Sequence, residues 1–108
     1  MEAIRLFSSW EALEPHIPAN RMLHIKVRGT SICLAVFSKD DIKAFQNVCP
    51  HRGAFLSQGS LNFQQEVVCP LHAYRYHCGN GREAENRSPS LRIYTLLWQA
   101  DGLYIQWP

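Results

Sequence analysis

Two short segments of this 108-residue chain carry side chains able to hold a transition metal: Cys49-Pro50-His51-Arg52-Gly53 and Cys69-Pro70-Leu71-His72. Each supplies one thiolate and one imidazole from a tight turn that contains proline, and residues 52–68 separate them. A soft sulfur ligand and a borderline nitrogen ligand on each of two loops satisfy either one tetrahedral ion or two bridged irons. Structural zinc usually takes close pairs of one type, C-x-x-C with H-x-x-x-H, whereas each segment here mixes Cys with His. The other two cysteines lack this setting. Cys33, inside the run Ser31–Ser38, reads as core, Cys78 as a small buried hydrophobe and His77 as a turn residue. His16 and His24 read as ordinary surface or interface histidines.

The elements that must position these loops read as strands. Leu23–Arg28 alternates apolar with polar, Gly29-Thr30 marks a turn, Ser31–Ser38 reads as the partner strand, and Lys39-Asp40-Asp41 leads into Ile42–Gln46. A three-stranded meander is expected. Leu91–Leu97 and Leu103–Trp107 flank Ala100-Asp101-Gly102 as a terminal hairpin, and Ser9–Leu13 reads as one helical turn before Pro15. Between the two β blocks, residues 47–89 change to a composition rich in Gly, Pro, Cys, His and Arg. A long excursion of this kind is functional or disordered, and its aromatic and apolar content argues against disorder. The chain thus reads as one all-β domain over residues 1–108, with an insertion at about 47–89 that carries the candidate metal ligands.

Composition closes off other classes. With 46% apolar residues a core can form, and a formal net charge of +2 leaves no basic stripe for nucleic acid. The start, Met1–Ser8, lacks the basic and apolar parts of a secretory leader, and no stretch approaches 18 apolar residues. The expectation is a soluble cytoplasmic protein without a membrane, in which two disulfides would have no oxidising compartment to form in. All the excess positive charge lies between Asn47 and Arg92. Tyr74, Tyr76, Trp98 and Trp107 read as packing, and Arg52 as a docking residue or a solvated charge.

The two loops resemble those of the Rieske iron-sulfur family, whose pattern is C-x-H, a spacer of this length, then C-x-x-H. Cys49-Pro-His-Arg-Gly-Ala-Phe-Leu-Ser-Gln-Gly59 is similar to that family's first loop, CPHRGAPLSxG. Cys69-Pro-Leu-His-Ala-Tyr-Arg-Tyr-His-Cys-Gly-Asn-Gly81 is similar to CPWHGWxFDLxTG of its ferredoxin and oxygenase branch, without a gap. Pro89 and Leu91 fall where the family places a proline loop over the cluster, and Asp101–Ile105 resembles its final hairpin. Leu71, Ala73 and Tyr76-His77 depart from the pattern without removing a ligand. Ala73 stands where a glycine is usual, so a Cβ must fit the loop's path there. The two extra cysteines of the respiratory branch are replaced by Ala54 and Leu71, which places the chain beside the ferredoxins.

The resemblance implies an antiparallel β-sandwich or barrel with a small cluster-binding subdomain. It implies one [2Fe-2S] cluster per chain, held by Cys49, His51, Cys69 and His72, with no catalytic residue. Two ferric ions, two sulfides and two thiolates sum to zero charge, so an added electron is accepted more readily than by a four-thiolate dianion. Such centres lie at about −150 to +300 mV, against about −400 mV for plant-type clusters. The implied role is a one-electron carrier, not itself an enzyme, between a flavin-dependent reductase and a terminal oxygenase or other acceptor. Two alternatives are the small subunit of a larger reductase of the nitrite reductase type and a zinc-stabilised interaction module. An oxygenase catalytic subunit is not expected at this length, since a mononuclear iron domain needs further chain.

Overall fold

A computed structural model describes residues 2–51, 53–71 and 73–108. The strands in chain order are β1 (Glu2–Phe7), β2 (Met22–Val27), β3 (Thr30–Ser38), β4 (Asp41–Gln46), β5 (Ser60–Leu61), β6 (Glu66–Val68), β7 (Arg75–His77), β8 (Ile93–Tyr94), β9 (Leu96–Gln99) and β10 (Gly102–Trp107). They form three antiparallel sheets with orders β2-β3-β4-β8, β1-β10-β9 and β5-β6-β7. The expected meander is β2, β3 and β4, paired from Val27↔Thr30 to Ile32↔Gln46. One helical turn, α1 (Trp10–Leu13), follows β1, and the Ser9 side chain caps it by accepting from the Ala12 N–H at 3.1 Å.

β3 organises the interior because both its faces are covered. Successive strand side chains point to opposite faces. Cys33 and Ala35 enter one core with Met22, Phe45, Cys49, Cys69, Tyr76 and Cys78. Ile32 and Leu34 enter a second core with Val27, Ala44, Tyr94 and Ile105. The four-stranded sheet is therefore a wall, with the predicted cysteine ligands on one side and the β1-β10-β9 sheet on the other. Tyr94 and Trp107 stack across the second core with ring centres 5.2 Å apart.

Two expectations about strands need correction. Leu91–Leu97 is not one strand: β8 pairs with β4 through Ala44↔Tyr94, while β9 pairs with β10. The chain changes sheets at Thr95, whose carbonyl accepts from the Gln106 N–H at 2.9 Å. Leu91 turns away from both and is buried in the cysteine-containing core. The second correction is β1, which the sequence reading leaves without an element. It pairs with the last strand, Glu2↔Trp107 through Phe7↔Leu103, and lays Ile4, Leu6 and Phe7 against the second core.

Candidate metal centre

The first loop leaves the end of β4 through Asn47, one of two buried polar or charged residues among those described. Its N–H donates to the Ser31 carbonyl at 3.1 Å, its Nδ2 to Ser31 Oγ at 3.1 Å, and its Oδ1 accepts from the Ser57 N–H at 2.8 Å. The loop is thereby tied to β3 at one end and to the following 3-10 turn at the other. Within it the Cys49 N–H donates to the Ala54 carbonyl (2.7 Å) and the Gly53 N–H to the Cys49 carbonyl (2.8 Å).

The second loop, between β6 and β7, repeats this wiring. The Cys69 N–H donates to the Tyr74 carbonyl (2.8 Å) and the Ala73 N–H to the Cys69 carbonyl (3.1 Å). The left-handed residue falls at the same step, with φ of 74° at Gly53 and 55° at Ala73. Ala73 thus adopts the conformation of the glycine it stands for, at a cost of roughly 1–2 kcal/mol for an L-residue. Gly59 lets the loops approach: a Cβ there would lie 2.0 Å from the Val68 carbonyl oxygen, one residue before Cys69.

Of the predicted ligands, Cys49 and Cys69 are buried in one core, and His51 is half-buried on the first loop. His72 and Arg52 lie outside the described residues. Among the described residues no three His, Cys, Asp or Glu side chains are gathered as a cage for a metal ion. What fits a [2Fe-2S] cluster is the donor set: two like loops, each bringing a cysteine into one interior, with a histidine at the rim of the first.

Cys33 and Cys78 share this core but differ in chemistry. Burial pushes the Cys78 thiol up to about 12, and burial together with neighbouring Cys78 pushes Cys33 up as well. Both stay protonated, as core residues should.

Four aromatic and charged side chains missed as site residues surround the loops. The buried Tyr76 hydroxyl lies 3.5 Å from Cys49 Sγ and 2.9 Å from Ser88 Oγ. Burial and the Cys49 contact raise the pKa of that phenol, although Ser88 opposes them. Tyr74 stacks on His51 with ring centres 3.9 Å apart and planes 10° apart. Arg87 lies over Tyr74, its Cζ 3.9 Å from the ring centre. Glu83, the other buried charged or polar residue described, receives Arg87 through Nη2 (2.8 Å), Nε (3.2 Å) and the backbone N–H (2.7 Å). Those bonds hold the Glu83 carboxyl at about 2 against the opposing effect of burial. The Glu-x-x-x-Arg spacing is the only signal of this pair in the sequence.

The paired Cys-Pro loops on a three-sheet antiparallel body define the class. The sequence model of the Rieske [2Fe-2S] domain matches residues 10–95, and the chain belongs to this family, whose cofactor is a [2Fe-2S] cluster. It is 36% identical over 69 residues to the carnitine monooxygenase oxygenase subunit of Escherichia coli K12, covering 63% of this chain and 18% of that one. The chain spans about a fifth of the length of such curated relatives. Its fold is similar to the ferredoxin of carbazole 1,9a-dioxygenase from Nocardioides aromaticivorans IC177, with TM-score 0.79, 21% identity and 97% of each chain covered. A protein assigned as an NADH-dependent nitrite reductase small subunit in Mycobacterium tuberculosis is also similar, with TM-score 0.77 and 16% identity over 96% of this chain and 93% of that one. Among the described residues no helix is long and apolar enough to cross a membrane.

Proposed function

We propose that the chain holds its cluster through Cys49, His51, Cys69 and His72 and carries single electrons between a flavin-dependent reductase and an oxygenase or other terminal acceptor. The observation that supports this ligand set is the repeated backbone wiring of the two Cys-Pro loops, which delivers both sulfurs to one buried place. When bound, the cluster supplies storage for one electron. The residues around it exclude water: Cys49 and Cys69 are each 1% exposed, beneath Leu56, Val67 and Tyr76. Residues 47–89 act as an insertion into a single domain, carrying their own sheet β5-β6-β7.

The same end of the molecule is suited to a transient partner. Of the exposed large apolar residues described, Val48, Phe55 and Leu71 lie in or beside the two loops. Exposed apolar side chains beside a buried redox site mark a surface that a partner can cover. In the carbazole 1,9a-dioxygenase system the ferredoxin forms a complex with its oxygenase. The fold's likeness to the nitrite reductase type supports a second reading, a subunit retained by a larger reductase. Co-purification with a flavin or haem protein favours that reading over a free carrier.

Purified anaerobically, the protein should contain two irons and two sulfides per chain. On reduction it should show the low-average-g paramagnetic signal of mixed nitrogen and sulfur ligation. Stoichiometric zinc without sulfide refutes the reading.

A further inference from the structure

Glu83 is a buried carboxylate in a small protein, and a buried charge is kept only when it is paired. Its partner Arg87 is held by two side-chain bonds and one backbone bond, so the guanidinium plane is fixed. That fixed plane lies 3.9 Å from the centre of the Tyr74 ring, and the His51 ring lies 3.9 Å from the same centre. Two flat groups at that distance from one ring centre cannot share a face without overlapping. Tyr74 is therefore sandwiched, and Glu83, Arg87, Tyr74 and His51 form a column that joins three separate segments of the chain. The side chain of Arg87 remains 39% exposed, so the column runs to the surface.

We infer that Tyr74, backed by the Glu83–Arg87 pair, is a positioning residue that fixes the ring plane of His51 at the rim of the site. This rests on His51 being a cluster ligand. Free rotation about a ligand's side-chain bonds is restrained poorly by one bond to a metal, whereas a stacked plate restrains the plane of the ring. The guanidinium is the right backing because it is flat and always charged, and because it stacks on aromatic faces as lysine cannot. The cation at the far face also draws the ring towards it, so the plate is itself held in place.

The test uses the cluster-loaded, reduced protein labelled with nitrogen-15 at histidine, in which pulsed paramagnetic spectroscopy resolves one coupling for each ligand histidine. Tyr74→Leu should alter the coupling of one histidine and leave the other. The displaced ring orientation should become about fivefold more populated, as expected for loss of one stacking contact. Tyr74→Phe should restore the wild-type spectrum. Arg87→Lys keeps the ion pair to Glu83, and with it the fold, but loses the flat backing, and should shift the same coupling to a smaller extent. Unchanged couplings in loaded Tyr74→Leu and Arg87→Lys overturn the inference, as does an equal change in both histidines, which marks general loosening. Should Tyr74→Leu fail to load, Arg87→Lys decides alone. A wild-type protein without iron and sulfide refutes the ligand assignment instead, and the two failures are thereby distinguished.

Discussion

The two Cys-Pro loops share a backbone and differ in nearly everything attached to it. Both close by the same pair of hydrogen bonds and both pass through a left-handed residue four positions after the cysteine. Yet the histidine stands two positions after Cys49 in one and three after Cys69 in the other, and Leu71, 60% exposed, occupies the step that His51 takes. The supports differ too. The first loop is braced by a neutral buried amide, Asn47, on the large sheet. The second sits on the small sheet and is braced through Tyr74 by the buried ion pair of Glu83 and Arg87. Local hydrogen bonding thus fixes where each sulfur goes, and the ring plane of His51 is left to side-chain stacking on Tyr74.

The largest effect should come from removing what the loops share. Cys49→Ser or Cys69→Ser should abolish cluster assembly, read as loss of iron, sulfide and visible absorbance. The pair Cys33→Ala with Cys78→Ala should retain two irons per chain at a cost of about 1–2 kcal/mol each in stability, since those thiols only pack. Cluster loss following the second pair would mean that the wrong cysteines have been paired as ligands.

A smaller effect should separate the loops at their left-handed residues. Gly53→Ala meets no neighbour within 4 Å but must hold φ near 74°, and should cost about 1 kcal/mol. Ala73→Gly relieves the same strain and should gain about 0.5–1 kcal/mol after the added freedom of the unfolded chain is counted. Denaturant midpoints of the two variants should therefore move in opposite directions. Movement in the same direction would show that the loops are not equivalent in the backbone.

Acid should separate the supports of the two loops, since it can titrate only the charged one. Glu83 has a folded value of about 2, below the ordinary glutamate value of about 4.3. The stability it contributes is complete above that ordinary value and is lost as pH falls through about 2. Compared with Glu83→Gln/Arg87→Gln, the wild type should hold its advantage in melting temperature at pH 5 and lose it towards pH 2. A difference that stays constant over that range would mean that the ion pair does not support the second loop. The corresponding change at the first loop, Asn47→Leu, should show no such pH dependence.

The parts that sequence made legible are those whose pattern is local. Alternation over 23–28 and the apolar run over 31–38 were enough for the meander, because β3 pairs with the strands that immediately precede and follow it in sequence. Ser9–Leu13 was legible as a single helical turn because Pro15 follows it closely. The two Cys-Pro loops were legible because each sets a cysteine, a proline and a histidine in close succession, while their role as the ligand set is the proposal made above. By contrast, Leu91–Leu97 reads as one continuous strand, and nothing in its composition marks Thr95 as the point where the chain leaves one sheet for another. β1 was missed because its partner is β10, at the other end of the chain. Tyr74 was taken as packing and Arg87 as part of a charge balance, since stacking between residues 51, 74 and 87 is set by tertiary placement.

That long-range pairing has a consequence for synthesis. Glu2 opposes Trp107, so β1 has no strand to join until β10 has been made. At about 5–20 residues per second, Ile4, Leu6 and Phe7 wait roughly 5–20 s on the ribosome with their apolar sides uncovered. The β5-β6-β7 hairpins need only neighbours such as Leu61↔Val67 and Glu66↔His77 and close their loops cheaply. A nascent chain can therefore present its two cysteine loops on paired strands while its first strand is still single, and iron delivery can begin before the β1-β10-β9 sheet is complete.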